Sequence, residues 1–389
     1  MTLIKEVNLN IKLDSLKIIN TGIILSTIKK NNFTRVELQK NTHLAAGTTS
    51  NIIKELVSKD IIIEKIENSK TRGRNGKKLH INSKYKYIIG IKVRRGTVLA
   101  SLNDLAGNEI VSLRETLIDK SVNSVVDTIV KVCFLLKENY PILGIGIAFP
   151  GQVNSNYGII NYSTFYQWEN INLKEILESK IDFCDIFIEN DVRAMALTEK
   201  EFLDPEIKNM IYLHLGHGIS TGIIINNSLL LGDNFIAGQI GHTYIKDNHI
   251  ECKCGKVGCL ETLASNPSLL EFYKEKSNIK SNIDFNFFLN KIKEKDEFAL
   301  EIFNAATSYI ATSLGNLLNI LNISTIVIGG DLTNLNDFFF DNLASKIKIY
   351  ALPHVSDNMN LIKSKYNHSE NTIGAVYIIL DKFYSGELI

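Results

Sequence analysis

Between residues 14 and 30, Leu16, Ile19, Ile23, Ile24 and Ile28 recur at helical spacing, which predicts an amphipathic helix. Thr34 followed by Glu37 has the spacing of a capping box, so a second helix is predicted from there to about His43. After a turn over residues 44–47, a third helix to about Ser58 would turn Thr49, Ile53, Leu56 and Val57 inward. Its outer face would carry Gly47, Thr48, Ser50, Asn51 and Lys54. These are small or hydrogen-bonding residues, as a helix needs to approach base edges in a major groove. Ala45 fits less well, because a serine there would cap the helix better. Residues 61–66 and 78–82 read as paired strands. The stretch between them holds Lys70, Arg72, Arg74 and Lys77 with Gly73 and Gly76, which suits phosphate or minor-groove contact.

From residue 85 the pattern changes to short apolar strands separated by glycine-bearing turns and helices. Residues 87–93 and 97–104 predict a hairpin turning through Arg94, Arg95 and Gly96. A buried strand over 143–148 ends at Pro150 and Gly151, and another over 185–189 leads into a helix opening at Asp191. A second hairpin spans 210–215 and 222–225. A long helix passes through 314–321, before a strand over 325–328 that ends at Gly329 and Gly330. A last helix, about 371–384, is expected to pack back on the first lobe. The alternation predicts two α/β lobes with a cleft between them. The expected division is a winged helix-turn-helix over 1–83, a first lobe over 84–195 plus about 366–389, and a second lobe over 196–365.

A length of 389 residues accommodates two or three domains, and 45% hydrophobic with 22% charged residues excludes wholesale disorder. No apolar run reaches the roughly 18 residues of a membrane span, and residues 1–10 have no signal-peptide core. A soluble cytoplasmic protein is therefore expected. The net charge of +1 hides a split. Residues 1–83 hold 15 Lys and Arg against 7 Asp and Glu, whereas the rest hold 28 against 35. A basic head on an acidic body points to a polyanionic partner such as double-stranded DNA.

Three of the five cysteines fall together, at Cys252, Cys254 and Cys259, with His242 upstream. Three thiolates and one imidazole suit a closed tetrahedral zinc site, and four protein ligands make such a zinc structural. Redox use is the rival reading, but a cytosolic setting disfavours it. Cys133 and Cys184, in apolar surroundings, read as core residues.

The run Gly238-Gln-Ile-Gly-His242, the cysteine cluster and Gly258-Cys-Leu-Glu261 together resemble the signature of the ROK family of sugar kinases and sugar-responsive repressors. Residues 188–191, 144–151, 167–173 and 326–330 resemble further family landmarks. The basic head resembles the winged helix of the repressor branch, of which the xylose-repressor type is the nearest match. The resemblance implies a two-lobed actin-like sugar-kinase fold behind the winged helix. It also implies sugar contact through Asn190, Asp191, Gln239, His242 and Glu261, with His242 using one ring nitrogen for zinc and the other for sugar. Gln239 departs from the glutamate usual in the family. Asn190 and Asp191 also read simply as a helix cap.

The kinases of the family carry Asp-x-Gly-Gly-Thr in the first hairpin. Here Lys92 stands for the aspartate, Arg94 and Arg95 for the glycines, and Gly96 for the threonine. Arginine side chains crowd a backbone that must approach phosphate closely. Residues 215–222, with His217, Ser220 and Thr221, are altered as well. Asp191, the presumed kinase base, remains as a vestigial candidate. The expected function is a sugar-responsive repressor of a carbohydrate-utilisation operon, acting as a homodimer or higher homo-oligomer on operator DNA. An active ATP-dependent sugar kinase with a DNA-binding head is the alternative.

Overall fold

The computed structural model describes residues 2–66, 77–366 and 371–389, with side chains from residue 15 onward. Lys70, Arg72 and Arg74 therefore lie outside the described residues, whereas Lys77 lies inside them.

The chain opens with three helices, α1 (Thr2–Lys30), α2 (Arg35–Thr42) and α3 (Ala46–Ser58). An antiparallel pair follows, β1 (Ile62–Ile66) with β2 (Lys77–Ile81). The capping box forms as expected. The Thr34 hydroxyl accepts from the Glu37 N–H at 3.3 Å, and the Glu37 carboxylate accepts from the Thr34 N–H at 2.8 Å. Thr49, Ile53 and Leu56 are buried on α3 together with Ile52, while Val57 is half-buried. On α1 the buried stripe differs from expectation. Thr21, Ile24, Leu25 and Ile28 are covered, but Leu16, Ile19 and Ile23 are exposed. The covered arc is centred near Gly22, where residues 384–386 lie against the helix backbone, and not on the largest apolar residues. A distant segment thus sets the buried face, which local periodicity does not reveal.

A five-stranded sheet follows, built from β3 (Tyr87–Arg94), β4 (Thr97–Asn103), β5 (Glu109–Thr116), β6 (Ile142–Phe149) and, later in the chain, β10, in the order β10-β6-β3-β4-β5. Helix α4 (Val122–Lys137) precedes β6. Past β6 the strands β7 (Gln152–Asn154), β8 (Ile159–Ser163) and β9 (Trp168–Asn172) form a small antiparallel sheet. Then come α5 (Leu173–Glu178), β10 (Asp185–Asn190) and α6 (Asp191–Glu201).

A second five-stranded sheet has the order β13-β12-β11-β14-β15. Its strands are β11 (Met210–Leu215), β12 (Ile219–Ile225), β13 (Ser228–Leu229), β14 (Thr325–Gly330) and β15 (Asn360–Lys363). Between β13 and β14 lie α7 (Glu261–Ala264), α8 (Asn266–Ser277), α9 (Phe285–Lys293) and α10 (Glu297–Leu321). Helices α11 (Asp337–Tyr350) and α12 (Pro353–Ser356) precede β15, and α13 (Ile373–Tyr384) follows it. Strand alternation divides this sheet's faces. Met210, Tyr212, Ile224 and Val327 pack with Val192, Met195 and Ala196 of α6. Ile211, Leu213, Leu215, Ile326 and Ile328 face the large core beneath α8–α11.

Contacts divide the chain into two compact units. One comprises residues 1–147, 174–188 and 375–389; the other comprises 148–173 and 189–374. The helical head is thus grouped with the first sheet, and residues 148–173 and 189–195 with the second, a partition that differs from boundaries at 83, 195 and 365. Helix α13 supplies a physical reason on the first unit's side. It is apolar nearly all round, with Ala375, Val376, Ile378, Ile379, Leu380 and Phe383 buried, as expected of a helix covered on several sides. It presses on β6 so closely that a Cβ at Gly146 would stand 1.9 Å from the Ala375 carbonyl oxygen. Among the described residues no helix is long and apolar enough to cross a membrane. Gly146→Ala is expected to destabilise the fold by about 1–3 kcal/mol in urea unfolding, because overpacking must push α13 off the strand. Wild-type stability in that variant would show that α13 yields freely at this contact.

Candidate functional site

Strand β12 organises the second unit's candidate site. It joins β11 through a tight turn in which the Gly216 N–H donates to the Gly218 carbonyl at 3.1 Å, leaving His217 exposed at the tip. The Ile219 N–H donates to Glu261 Oε2 at 3.0 Å. The Gly238 carbonyl accepts from the Thr221 N–H at 2.8 Å, from its hydroxyl at 2.9 Å, and from the Ser220 hydroxyl at 3.4 Å. Gln239 and the short 3-10 turn Ile240–His242 follow directly, with the His242 N–H on the Gln239 carbonyl at 3.0 Å. One strand therefore anchors both the Gln239–His242 segment and Glu261, which the sequence placed among the sugar contacts.

The four expected metal ligands converge. One ligand atom from each of His242, Cys252, Cys254 and Cys259 lies within 4.8 Å of the others. His242 Nδ1 is 3.7 Å from Cys252 Sγ, and Cys254 Sγ is 3.6 Å from Cys259 Sγ. These separations match neighbouring vertices of a tetrahedron with metal–sulfur bonds of roughly 2.3 Å. With Nδ1 turned to the cluster, Nε2 is the ring nitrogen left for another partner. Burial, with help from the neighbouring Cys254 and Cys252 thiols, pushes the Cys259 thiol up to about 12. A divalent cation would offset that penalty by pairing with the thiolates, so the donor set fits a metal. The loop is tied down by the Ile245 N–H on the Gly258 carbonyl at 2.8 Å and by Asn248 Nδ2 on the Cys259 carbonyl at 3.0 Å. Cys133 is buried on α4, and burial raises its thiol pKa, as expected of a core residue.

Asn190 caps α6. Its Oδ1 accepts from the Val192 and Arg193 N–H groups, both at 3.0 Å, and its Nδ2 donates to the Gly151 carbonyl at 2.9 Å and to Asp191 Oδ1 at 3.2 Å. Both amide protons and both acceptor directions are engaged, so the cap reading holds for Asn190 in this state. Asp191, half-buried at the first helical position, carries the carboxylate that faces outward from the cap.

Directly behind lies a brace that sequence reading missed. Arg193 Nε donates to Glu189 Oε1 at 2.7 Å, Nη1 to the Phe235 carbonyl at 2.6 Å, and Nη2 to the Val153 carbonyl at 2.6 Å. Glu189 also accepts from the Asn190 N–H at 2.6 Å. The pair is buried, 5% and 3% exposed, and ties β10, β7 and the chain before Gly238 to one point. Opposite charges four residues apart were the available signal, but the strand-to-helix junction between them obscured it. A second missed cluster is the buried stack of Phe149 on Trp168, ring centres 5.2 Å apart, with Tyr166 beside both.

The first unit holds the other candidate residues. Thr48 and Ser50 are half-buried on α3, whereas Asn51 and Lys54 are exposed. Ala45 precedes α3 without a side-chain cap, as its methyl group dictates. Lys77 opens β2 and lies 3.9 Å from Glu64. In the β3–β4 hairpin, Arg94 pairs with Thr97 across Arg95 and Gly96. Lys92 is buried at 5% exposure, so its cation belongs to the interior and not to the hairpin's surface.

Two outcomes follow for the site. Replacing His242 with alanine is expected to lower bound metal well below one equivalent per chain in elemental analysis, because three thiolates leave the tetrahedron open; full metal retention would show that the ligand set is wrong. For the brace, Arg193→Ala strands a buried carboxylate. Burial already raises the Glu189 pKa in the folded state, opposed by Arg193 and the Asn190 N–H. Without the arginine the folded state favours protonated Glu189 still more. The variant's deficit should thus be small at or below the ordinary carboxylate range and grow as pH rises through the raised value, reaching about 3–5 kcal/mol near neutrality. Denaturant unfolding of variant and wild type at several pH values measures this, and a pH-independent difference would contradict it.

A sequence model described as the ROK family matches residues 89–382. The xylose repressor of Bacillus spizizenii is 26% identical over 374 residues, covering 94% of this chain and 96% of that protein. The crystal structure of a ROK family transcriptional regulator, a homologue of the Escherichia coli MLC protein, superposes with a TM-score of 0.87 at 23% identity, covering 96% of this chain and 98% of the other. A ROK family glucokinase from Streptomyces griseus, solved with glucose and AMPPNP, superposes with a TM-score of 0.65 at 20% identity; 98% of that enzyme is covered but only 75% of this chain. With its glycine-histidine run, its cysteine loop and most of its length matched, this chain belongs to the ROK family.

Proposed function

We propose that the protein is a sugar-responsive transcriptional repressor whose α/β body binds a sugar and whose residues 1–83 form a winged helix-turn-helix on operator DNA. The observation that carries this reading is the extent of the likeness to a xylose repressor, which runs over 94% of the chain and so takes in the basic head as well as the body. The local geometry is consistent with it. Helix α3 presents Asn51 and Lys54 outward and Thr48 and Ser50 at its margin, behind a capped α2 and in front of a two-stranded ribbon. Lys70, Arg72, Arg74 and Lys77 supply the cations of that ribbon for phosphate contact. A homodimer or higher homo-oligomer would match a two-fold operator.

On the body, Asp191, Gln239, His242 and Glu261 supply carboxylate, amide and imidazole groups for sugar hydroxyls, with Asn190 holding Asp191 in place. D-xylose is the proposed effector. Zinc at His242, Cys252, Cys254 and Cys259 is structural: it supplies an ordered loop, and His242 Nε2 then faces the ligand side.

Phosphoryl transfer is disfavoured by three features of this chain. The Ile219 N–H, which a phosphate would seek, is occupied by a carboxylate that would repel it. The Ser220 and Thr221 hydroxyls donate to the Gly238 carbonyl. The hairpin that must approach nucleotide closely carries Arg94 and Arg95 in place of glycines. The second reading, a sugar kinase with a DNA-binding head, rests on the retained Asp191 and on the glucokinase fold.

A salt series of gel shifts with the DNA upstream of the gene, with and without D-xylose, tests the first reading, and a coupled ATP-consumption assay over hexoses and pentoses tests the second. Binding that weakens with salt and responds to sugar is expected, together with no turnover; kinase turnover at ordinary rates would overturn the non-enzymatic reading. The double change Arg72→Ala with Arg74→Ala is expected to weaken binding across sequences and to reduce the salt slope by about one per lost phosphate contact. An unchanged slope would remove the ribbon from the interface.

A further inference from the structure

Resting on that reading, we infer that residues 384–389 are a latch that fixes the head to the body and carries the sugar signal to it. The contact is backbone on backbone. A Cβ at Gly22 of α1 would stand 2.3 Å from the Ser385 carbonyl oxygen, and a Cβ at Gly386 would stand 2.4 Å from the Ile18 carbonyl oxygen and 3.0 Å from the Gly22 nitrogen. Each chain presents a glycine where the other comes closest, and Gly386 also has φ +89°, which side chains resist. Around this point the Ser26 hydroxyl donates to the Tyr384 carbonyl at 3.0 Å, and the Lys29 ammonium lies 4.0 Å from the Tyr384 ring centre. The Tyr384 hydroxyl donates in turn to the Leu105 carbonyl at 3.2 Å, so the same residue grips the head and the first sheet. Beyond Gly386 the segment reaches α3: a cavity of about 120 Å³ is lined by Lys17, Thr21, Ile52, Leu56, Gly386 and Ile389.

The other end of the latch lies on the strands that lead to the candidate sugar site. Helix α13 covers β6 at Gly144 and Gly146, and Gly144 also lies against the Asp185 carbonyl at the start of β10. Along the chain, β6 runs on to Gly151, whose carbonyl holds the Asn190 amide, and β10 runs into Asn190 itself. A shift in the Asn190–Asp191 cap is therefore passed down two adjacent strands to a helix whose last turn clasps α1. The chain that joins head to body, residues 82–86, offers only two short backbone ties, Asn82 to Ile61 at 2.9 Å and Tyr85 to Asn82 at 3.0 Å. The latch is the stiffer route because close-packed backbone transmits displacement, whereas a single strand of chain bends.

The test uses the full-length protein, the variant Gly386→Val and the milder double change Ser26→Ala with Lys29→Ala. Three quantities are read: amide hydrogen exchange over residues 18–26, D-xylose affinity by calorimetry, and affinity for the upstream DNA with and without D-xylose. Both variants are expected to exchange at least about tenfold faster over residues 18–26 while binding D-xylose within about twofold of wild type. The sugar-induced change in DNA affinity, about 5–150-fold for an ordinary allosteric coupling, should collapse to within about twofold. The double variant keeps the test valid should Gly386→Val fold poorly. Variants that bind both ligands and keep the full sugar effect would overturn the latch alone. A wild-type protein that bound neither D-xylose nor DNA would instead remove the functional reading on which it rests.

Discussion

The hydrogen bonds that β12 makes to its flanking loops, and the thiol-imidazole cluster that orders those loops, are the constraint on which the candidate site depends. Between β13 and α7 the chain has one three-residue 3-10 turn and no other regular element. A loop that long within a packed body needs a substitute for strand and helix ladders. Part of that substitute is the pair of anchors on β12, at Gly238 and at Glu261. The rest is the convergence of His242, Cys252, Cys254 and Cys259, which closes the loop on itself. Remove either and Gln239, His242 and Glu261 lose their common reference.

The Glu189–Arg193 brace plays the complementary part on the other flank. It joins the end of β10 to β7 and to the Phe235 carbonyl, so the Asn190 cap and the approach to Gly238 share one buried arginine. A buried pair contributes little net stability, but either charge alone is costly, and this makes the geometry all-or-none. That property suits a ligand sensor: the carboxylates and imidazole sit in fixed positions without any requirement to move phosphate. The same residues that build a kinase cleft in the family can serve a repressor once the nucleotide contacts are filled by the protein's own side chains, as Glu261 does at the Ile219 N–H.

Much of this was legible in the chain before the fold was known, where the signal was local. The Thr34–Glu37 box, the hairpin through Arg95 and Gly96, and the cysteine loop each depend on residues within a few positions of one another, and each forms as read. What stayed hidden depends on distant partners. The buried arc of α1 is set by residues 384–386, more than 350 positions away, and so the periodicity of Leu16, Ile19 and Ile23 misled. The three-stranded sheet β7–β9 gave no clear alternation, and the aromatic stack beneath it joins a residue from β6 to two from a later loop and strand. Asn190 shows a residue type with two valid readings, in which a saturated amide decides for the cap.

The central claim is that the metal-ordered loop builds the sugar site. It is tested most directly by calorimetric titration of one sugar, D-xylose, into the intact protein before and after zinc is stripped with a chelator, with circular dichroism monitoring the fold. The account predicts measurable affinity in the zinc-loaded protein, loss of at least about tenfold in affinity on stripping, recovery when zinc is restored, and little change in overall helix content. Equal D-xylose affinity with and without zinc would contradict it.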